Sequence, residues 1–391
     1  MAMKKILFLP FLQMRSGHHQ VAEALMDMVL TEVDGIFVKK VDLLSYTSPL
    51  IEKVITNSYL KWIKYAPETY NFTYKKYFCS ASSQNQSVKW FYFLLKKMGQ
   101  LVREEKPDLI VCTHSFPSYL LSKLKDTGEC DVPVVNAYTD FFINSVWGID
   151  EIDYHLLPNT DLKEEISEMY HVSDKRMIVT GIPVHQEISP NERAKKPRDR
   201  PKILIAGGNN GLGSIVKLLS KSIQSSHSDF FVLCGNNRKL YKEICSWNID
   251  HIKPLPYISS RSEMNKLYEE MDAMVTKPGG VTISEALRKR LPIFVQSVLP
   301  GQEEINLRYL TDKGLVFQLG QEKLFEQELL DTLNDSKRMN QWEQSINSYL
   351  TGLEIDEPKE IAELFTEIMD NKFQLPTRYG EQSKVYRVAK A

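Results

Sequence analysis

The segment MVTKPGGVTISEAL, residues 274–287, contains one complete strand–turn–helix unit. Its first residues form an apolar run that ends at Thr276, and apolar residues at helical spacing begin near Val281. Between them lies a Lys-Pro-Gly-Gly turn, in which the glycines permit a close approach of the backbone to a neighbouring group. A strand followed directly by a helix is the repeating unit of a parallel sheet, so this segment predicts an α/β fold.

The same alternation of short apolar runs and longer helical periods extends over the rest of the chain. It predicts two α/β halves that face each other across a cleft, with ligands bound beyond the carboxyl ends of the strands. The predicted strands lie at residues 4–10, 35–44, 109–113, 131–138, 154–157, 177–179, 202–208, 230–234, 273–276 and 292–295. The predicted helices lie at residues 18–30, 87–105, 213–224, 263–270, 281–288, 303–310, 324–333 and 360–369.

A polar segment with three prolines, residues 185–201, separates the two halves. It has neither helical nor strand periodicity and is interpreted as a linker. The predicted division is a first domain at 1–185, a linker at 186–200, a second domain at 201–372, and a polar, basic tail at 373–391 that is expected to be partly mobile.

Composition excludes several classes of protein. The 391 residues include 49 Lys and Arg against 50 Asp and Glu, a net charge of −1, which argues against a nucleic-acid partner. The hydrophobic fraction of 42% and the charged fraction of 25% are those of a globular chain, not of a disordered, collagen-like or coiled-coil one. Five cysteines without a CxxC pair are interpreted as reduced core thiols in a cytosol-like compartment.

Membrane-spanning segments are not expected, because no stretch approaches the ~18 apolar residues that a spanning helix needs. The apolar run at residues 4–10 follows lysines, as in a signal peptide, but it is short and no small-residue cleavage site follows. It is therefore interpreted as a buried first strand, and any membrane contact is expected to be peripheral.

Residues 59–99 combine positive charge with aromatic side chains: seven lysines against one glutamate, a net +6, and twelve Phe, Tyr or Trp residues. This composition favours a surface that docks on anionic lipid. The candidate contacts are Trp62, Lys75, Lys76 and Trp90. The alternative is an aromatic core beneath a lysine-decorated face, and composition leaves both open.

Two turns carry candidate site residues. Gly17 and His18 follow the first predicted strand at the start of a helix, where the positive end of the helix dipole disfavours protonation of His18 and suits a general base. The second half opens with a turn that contains Gly207, Gly208 and Asn209. Its spacing does not fit a dinucleotide motif and favours a phosphate or sugar-phosphate loop, with a purely structural tight turn as the alternative.

The turn at Gly279 and Gly280 opens a helix whose backbone N–H groups, with the Thr282 hydroxyl, can hold a diphosphate. One turn further on, the Glu285 carboxylate can accept both hydroxyls of a ribose. A second polar helix start follows at PGQEEIN, residues 300–306, where amide and carboxylate side chains can bind sugar hydroxyls. The two helix starts in tandem predict a sugar-nucleotide site.

The segments TKPGGVTISEA (276–286) and LPIFVQSVLPGQEEIN (291–306) resemble the C-terminal half of inverting GT-B glycosyltransferases. In the first half, SGHHQVAEAL, PDLIVCTHSFP, VNAYTDFFINSVW and VTGIPVHQEI resemble the monogalactosyldiacylglycerol synthase and processive diacylglycerol glucosyltransferase family, within glycosyltransferase family 28. The resemblance runs over residues 4–350 in the same order. It implies a GT-B fold: two facing Rossmann-like domains, the first on the acceptor and membrane side and the second binding the UDP-sugar.

The resemblance also implies roles for single residues. His18 falls on the catalytic base of the family, and Asp140 and Trp147 fall on the segment that faces the acceptor and the lipid surface. The donor-binding residues implied by the resemblance and by the turns above are Gly17, Gly207, Gly208, Asn209, Tyr257, Ile258, Lys277, Gly279, Gly280, Val281, Thr282, Glu285, Gln302, Glu303 and Asn306.

The predicted function is transfer of a hexose from a UDP-sugar to diacylglycerol or a glycosyl-diacylglycerol, with inversion, by a cytoplasmic protein bound peripherally to the inner face of the cell membrane. No cofactor and no essential metal ion are expected, because the sequence has no isolated DxD motif and its aspartates are scattered. The alternatives are a GT-B transferase with a soluble or polyprenyl-linked acceptor, a non-catalytic UDP-sugar-binding protein, and a sugar-nucleotide 2-epimerase.

Overall fold

The computed structural model describes residues 3–11, 16–47, 88–191, 198–207, 214–219, 227–296, 298, 301–320 and 325–371. The strands within these residues form two six-stranded sheets, one in each half of the chain. Every neighbouring pair of strands is parallel. The predicted α/β class is therefore confirmed.

The first half consists of one sheet and the helices that cover it. Its strands are β1 (Lys4–Leu9), β2 (Ile36–Lys40), β3 (Leu109–Cys112), β4 (Val134–Ala137), β5 (Tyr154–Leu157) and β6 (Met177–Val179). Its helices are α1 (Gly17–Glu32), α2 (Leu43–Thr47), α3 (Val88–Glu105), α4 (Ser115–Asp126) and α5 (Thr160–Tyr170). The strand order is β2-β1-β3-β4-β5-β6. All four residues of β3 and of β4 are buried, as expected of parallel strands covered on both faces.

The second half repeats this plan. Its strands are β7 (Lys202–Ala206), β8 (Asp229–Leu233), β9 (Ile252–Leu255), β10 (Ala273–Thr276), β11 (Ile293–Val295) and β12 (Phe317–Gln318). Its helices are α6 (Ser214–Leu219), α7 (Arg238–Trp247), α8 (Arg261–Glu270), α9 (Gly280–Arg288), α10 (Gln302–Asp312), α11 (Phe325–Asn334), α12 (Ser336–Thr351) and α13 (Pro358–Met369). The strand order is β12-β11-β10-β7-β8-β9.

Each sheet has a point at which the strand order reverses. In the first sheet β1 lies between β2 and β3, and in the second β7 lies between β8 and β10. Ligands of doubly wound sheets bind outside the carboxyl ends of the strands at such points. In the second sheet, the Thr276 hydroxyl at the end of β10 donates to the Ala206 carbonyl at the end of β7 over 3.0 Å, beside this reversal point. Each half therefore presents one candidate crevice.

The described residues show two connections between the halves. After α12 the backbone N–H of Glu354 donates to the Val179 carbonyl over 2.7 Å, beside the last strand of the first sheet. Helix α13 then packs on α1 and β3 of the first half, and the Lys4 ammonium pairs with Asp370 just beyond its end. The last described helix of the chain thus belongs in space to the first half, a placement that the periodicity of the sequence does not indicate.

Several local predictions are wrong in detail. The second strand ends at Lys40 instead of continuing to Leu44, because Leu43–Thr47 forms the helix α2.

The cysteines differ in burial. Cys112, Cys130 and Cys234 are buried free thiols as expected, whereas Cys245 is exposed. Cys79, the tail at 373–391 and most of the window at 59–99 lie outside the described residues. Of the helices that the structure describes, none combines the length and the apolar character needed to cross a bilayer.

Candidate active site

His18 lies in the first turn of α1, beside the carboxyl end of β3. Its Nδ1 atom is 2.7 Å from the backbone carbonyl oxygen of Thr113. A carbonyl oxygen only accepts hydrogen bonds, so Nδ1 must carry a proton. In the neutral imidazole the lone pair is then on Nε2, which is the arrangement that a general base requires.

Electrostatics keep this imidazole neutral. Burial lowers the pKa of His18, and the Asp140 carboxylate and the bond to Thr113 partly oppose this effect. His114 packs edge-on against His18 with ring centroids 4.6 Å apart, and burial, followed by the charge of His18, lowers the pKa of His114 well below its usual value. Near pH 7 both rings are therefore uncharged, and His18 is ready to accept a proton.

The loop after β4 completes the surroundings of His18. The Thr139 hydroxyl lies 2.9 Å from the same Nδ1 atom. Burial raises the pKa of the adjacent Asp140 carboxyl, while His18 and a hydrogen bond from Asn306 lower it. The predicted acceptor-side residue Asp140 is thus brought next to the predicted base.

The start of α9 lies directly across from this loop. A Cβ atom at Gly280 would be 1.9 Å from the Thr139 carbonyl oxygen, so the approach is possible only for glycine. The N-termini of α1 and α9 also meet, because a Cβ at Gly17 would lie 3.4 Å from Cγ2 of Val281. The structure therefore places His18 and the predicted diphosphate turn in one crevice.

The N-terminus of α9 is open to a ligand. Its cap residue is Gly279, and no side chain of the described chain accepts a hydrogen bond from its first N–H groups. A Cβ at Gly279 would have no atom of the described residues within 4 Å, its chain neighbours aside. Uncapped N–H groups at the positive end of a helix dipole, next to empty space, form a suitable site for a phosphate. Helices α1 and α13 also have no side-chain cap. Four other helices, α5, α7, α8 and α12, are capped by the side chains of Asn159, Asn237, Ser260 and Asp335.

A cation lies beside this helix start. The Lys277 ammonium is 3.5 Å from Oε1 of Glu303, and both side chains are only partly exposed. Burial lowers the pKa of Lys277, and Glu303 opposes that shift. Thr282, at the third position of α9, is half-exposed, as is Gln302 at the first position of α10. These side chains can contact a sugar nucleotide seated on α9.

Two of the residues predicted to bind the UDP-sugar donor, Glu285 and Asn306, form hydrogen bonds with other residues of the protein. The Tyr268 hydroxyl donates to Oε2 of Glu285 over 2.8 Å, and Arg261 lies 3.8 Å from its other oxygen. Burial raises the pKa of Glu285, opposed by Tyr268 and Arg261. Asn306 is 1% exposed, and its amide bonds to Asp140, Phe141 and Pro278.

The other predicted donor residues are less enclosed or are not described. Gly207 is buried at the end of β7, whereas Gly208 and Asn209 lie outside the described residues. Tyr257 is exposed and Ile258 half-buried in the loop after β9, on the sheet edge that also carries the α9 turn.

The structure describes only some of the residues that are predicted to contact the membrane. Trp147 is only 8% exposed and packs on Tyr138 with ring centroids 4.6 Å apart, so the prediction that it faces lipid is wrong. Trp62, Lys75 and Lys76 lie outside the described residues, as does the side chain of Trp90. Two aromatic side chains further along α3 are exposed: Tyr92 by 63% and Phe93 by 38%.

Comparison with known proteins agrees with this geometry. MurG of Acinetobacter baumannii superposes with a TM-score of 0.61 at 13% identity, over 93% of this chain and 99% of that one, which confirms the GT-B fold. A family profile described as monogalactosyldiacylglycerol (MGDG) synthase matches residues 18–184. The glycosyltransferase YkoN of Bacillus subtilis, itself uncharacterized, is 38% identical over 354 residues, which are 89% of this chain and 93% of that protein.

This chain belongs to the monogalactosyldiacylglycerol synthase family of glycosyltransferases. A second relative, the processive diacylglycerol beta-glucosyltransferase of Bacillus cytotoxicus, is 26% identical over 343 residues, covering 85% of this chain and 87% of that protein.

The site of this glycosyltransferase includes residues that sequence reasoning did not single out. Thr113, His114 and Thr139 surround His18, and Tyr268 and Arg261 hold Glu285. The first three follow the carboxyl ends of β3 and β4, so the rule that ligands bind at strand ends could have found them. Among the described residues no three His, Cys, Asp or Glu side chains lie close enough together to hold a metal ion.

Proposed function

We propose that this glycosyltransferase moves a hexose from a UDP-sugar to the hydroxyl group of diacylglycerol or of a glycosyl-diacylglycerol, and that it inverts the anomeric centre. The names of its relatives, a monogalactosyldiacylglycerol synthase and a processive diacylglycerol beta-glucosyltransferase, support the acceptor class. The donor class is supported by the open N-terminus of α9, which suits a diphosphate.

The observation that carries the proposal is the position of Thr139. Its hydroxyl contacts Nδ1 of His18, and its carbonyl lies against Gly280 at the start of α9. One residue thus joins a base and an anion site, which are the two groups that glycosyl transfer needs on opposite sides of the sugar.

The step follows from this arrangement. Nε2 of His18 takes the proton of the acceptor hydroxyl, and the oxygen forms a bond to the anomeric carbon as the bond to UDP breaks. The electron pair leaves with the diphosphate, and the added negative charge is stabilised by the N–H groups and the dipole of α9. A single displacement from the face opposite UDP yields a β-glycoside from an α-linked donor.

The proposed step uses no metal ion, because the charge of the leaving diphosphate meets the uncapped amides of α9 with Lys277 nearby. Mg²⁺ commonly balances such charge elsewhere, and here the helix terminus and a cation take that role. Full activity in the presence of EDTA is expected, and its loss would count against this part of the proposal.

The acceptor is proposed to be reached at the anionic inner surface of the cell membrane. Tyr92 and Phe93 are exposed at the beginning of α3, and Lys96 on the same helix is also exposed. Exposed aromatic and basic side chains together are typical of surfaces that bind lipid interfaces.

The experiment that tests the proposal is a donor screen. Purified protein is incubated with diacylglycerol in phosphatidylglycerol vesicles and with UDP-glucose, UDP-galactose or UDP-glucuronate. The lipid products are identified by mass spectrometry, and their anomeric configuration is assigned by NMR from the coupling constant of the anomeric proton. A hexosyl-diacylglycerol with a β-linkage supports the proposal. An α-linked product would refute inversion, and transfer only to a soluble or polyprenyl-linked acceptor would refute the lipid assignment.

A further inference from the structure

The side chain of Asn306 connects the two halves beside the base. Its Nδ2 donates to Oδ1 of Asp140 over 2.8 Å and to the carbonyl of Pro278 over 3.1 Å. Its Oδ1 accepts the backbone N–H of Phe141 over 2.8 Å. Asn306 and Pro278 belong to the second half, whereas Asp140 and Phe141 belong to the first. Three segments of the crevice, namely α10, the loop after β4 and the turn after β10, therefore meet at one buried amide.

This bonding leaves the amide of Asn306 with no hydrogen to offer a sugar. A primary amide nitrogen has two hydrogens, and both are engaged, one by Asp140 and one by Pro278. With 1% exposure the side chain is also closed off from the crevice. The donor-sugar contact implied by the family resemblance therefore does not match the arrangement that the structure shows.

We propose that Asn306 is a positioning residue, whose amide holds the Asp140 carboxylate toward His18 when the two halves are closed on each other. The inference rests on one part of the proposed function, namely that His18 acts as the base. Asp140 lies in the loop beside His18, and Asn306 is the hydrogen-bond donor to its carboxylate from the other half. Separation of the halves withdraws that donor, so the base is fully assembled only in the closed enzyme.

The titratable groups that face His18 make this arrangement measurable. They are Asp140, whose charge favours the imidazolium, and His114, whose ring packs on His18. The Asn306 bond favours the charged form of Asp140, so its loss weakens the support that Asp140 gives to a protonated His18. Replacing Asn306 should therefore move the pKa of His18 downward, in the direction expected for Asp140→Asn.

The test compares wild type with Asn306→Leu, which keeps the branched arrangement of side-chain heavy atoms without the polar groups. Asn306→Ala serves if the leucine variant does not fold. We expect kcat to fall by about 10- to 100-fold, a part of what a positioned base supplies, while the KM for the UDP-sugar changes less than twofold. The double variant with Asp140→Asn should be no slower than Asp140→Asn alone, because the two residues act as one unit.

The matched control is Lys313→Met. Lys313 follows the other end of α10 and pairs across the same two halves with Asp161 over 2.8 Å, away from His18. It tests whether loss of any interdomain contact has the same effect, and we expect kcat and the pKa of His18 to stay near the wild-type values. An equal loss in this control would overturn the specific role of Asn306.

A readout independent of turnover separates this inference from the proposed function. The pKa of His18 is followed by the NMR chemical shift of its ring proton in wild type, Asn306→Leu, Asp140→Asn and Lys313→Met. A downward shift shared by the first two variants supports the inference even if the donor screen finds no lipid product. An unchanged or raised pKa in Asn306→Leu, or a raised donor KM with unchanged kcat, would overturn it.

Discussion

The imidazole Nδ1 of His18 donates a hydrogen bond to the Thr113 carbonyl across 2.7 Å, and this contact sets the tautomer of the base. His18→Asn can keep a donor near the Nδ1 position but has no group at Nε2. We expect kcat/KM to fall by about 10²- to 10⁴-fold in His18→Asn, as for loss of a general base. Affinity for UDP, measured by calorimetry, should stay unchanged, and near-normal turnover in this variant would exclude His18 as the base.

The pH dependence follows from the same group. Burial lowers the pKa of His18 from its ordinary 6.5, and a base is active when unprotonated, so the acidic limb of kcat/KM should lie below pH 6.5. Removing the Asp140 charge in Asp140→Asn takes away an interaction that favours the imidazolium. The limb should then move to still lower pH, and the plateau should drop because the base is weaker. A shift to higher pH in pH–rate profiles would contradict this assignment.

Gly280 and Gly279 form a matched pair for testing the α9 turn. Gly280→Ala would drive a methyl group into the Thr139 carbonyl, so we expect stability to fall by about 1–3 kcal/mol in thermal melts, and activity to fall with it. The methyl group of Gly279→Ala meets none of the described residues within 4 Å, so this variant should fold normally. Its methyl group instead covers the open amides, so donor KM should rise. Equal melting temperatures for both variants would show that the halves do not touch as described.

Glu285 is expected to recognise the ribose. Its carboxylate is already oriented by the Tyr268 hydroxyl, and a charged acceptor contributes about 1.5–3 kcal/mol per hydrogen bond. Wild-type protein should therefore prefer UDP over 2′-deoxy-UDP by about tenfold or more, and Glu285→Gln should lose most of this preference. Tyr268→Phe is the control that keeps the carboxylate. If Glu285→Gln discriminates the two nucleotides as well as wild type does, the ribose contact is ruled out.

Membrane binding is expected to depend on α3. The double variant Tyr92→Ser/Phe93→Ser should bind phosphatidylglycerol vesicles about tenfold more weakly in sedimentation assays, and wild-type binding should fall with salt. Met169→Ser is the control, because Met169 is an equally apolar residue, 57% exposed, on α5. Absence of vesicle binding at any salt concentration would point to a soluble acceptor.

The hydrophobic pattern along the sequence is sufficient to predict most strands of the two sheets. The strands at Ala273–Thr276 and Leu109–Cys112 are short, mostly apolar and fully buried, so the sequence shows them directly. Strand Ile252–Leu255 was missed because it is an edge strand that carries Lys253 and Pro254. Helix Ser336–Thr351 was missed because only Trp342 and Ile346 on it are buried, which leaves little hydrophobic periodicity to detect.

The site was predictable only in part, for a related reason. The strand-end rule and helix-start chemistry located His18 and the Gly279–Gly280 turn, since both depend on neighbours in sequence. That the Asn306 amide is used by Asp140 depends on a contact between segments distant in sequence, and that Trp147 packs on Tyr138 depends on how the loop after β4 folds back. Residue type at those positions is compatible with either role, and only the tertiary structure decides.

Helix α13 has a mechanical consequence. Because this helix is anchored on α1, the described residues show a second crossing between the lobes, near residue 354, in addition to the linker near residue 190. Two connections restrict how one lobe can rotate against the other more than a single linker would. Opening to admit a donor and closing over it are therefore expected to bring α9 back to the same place beside His18.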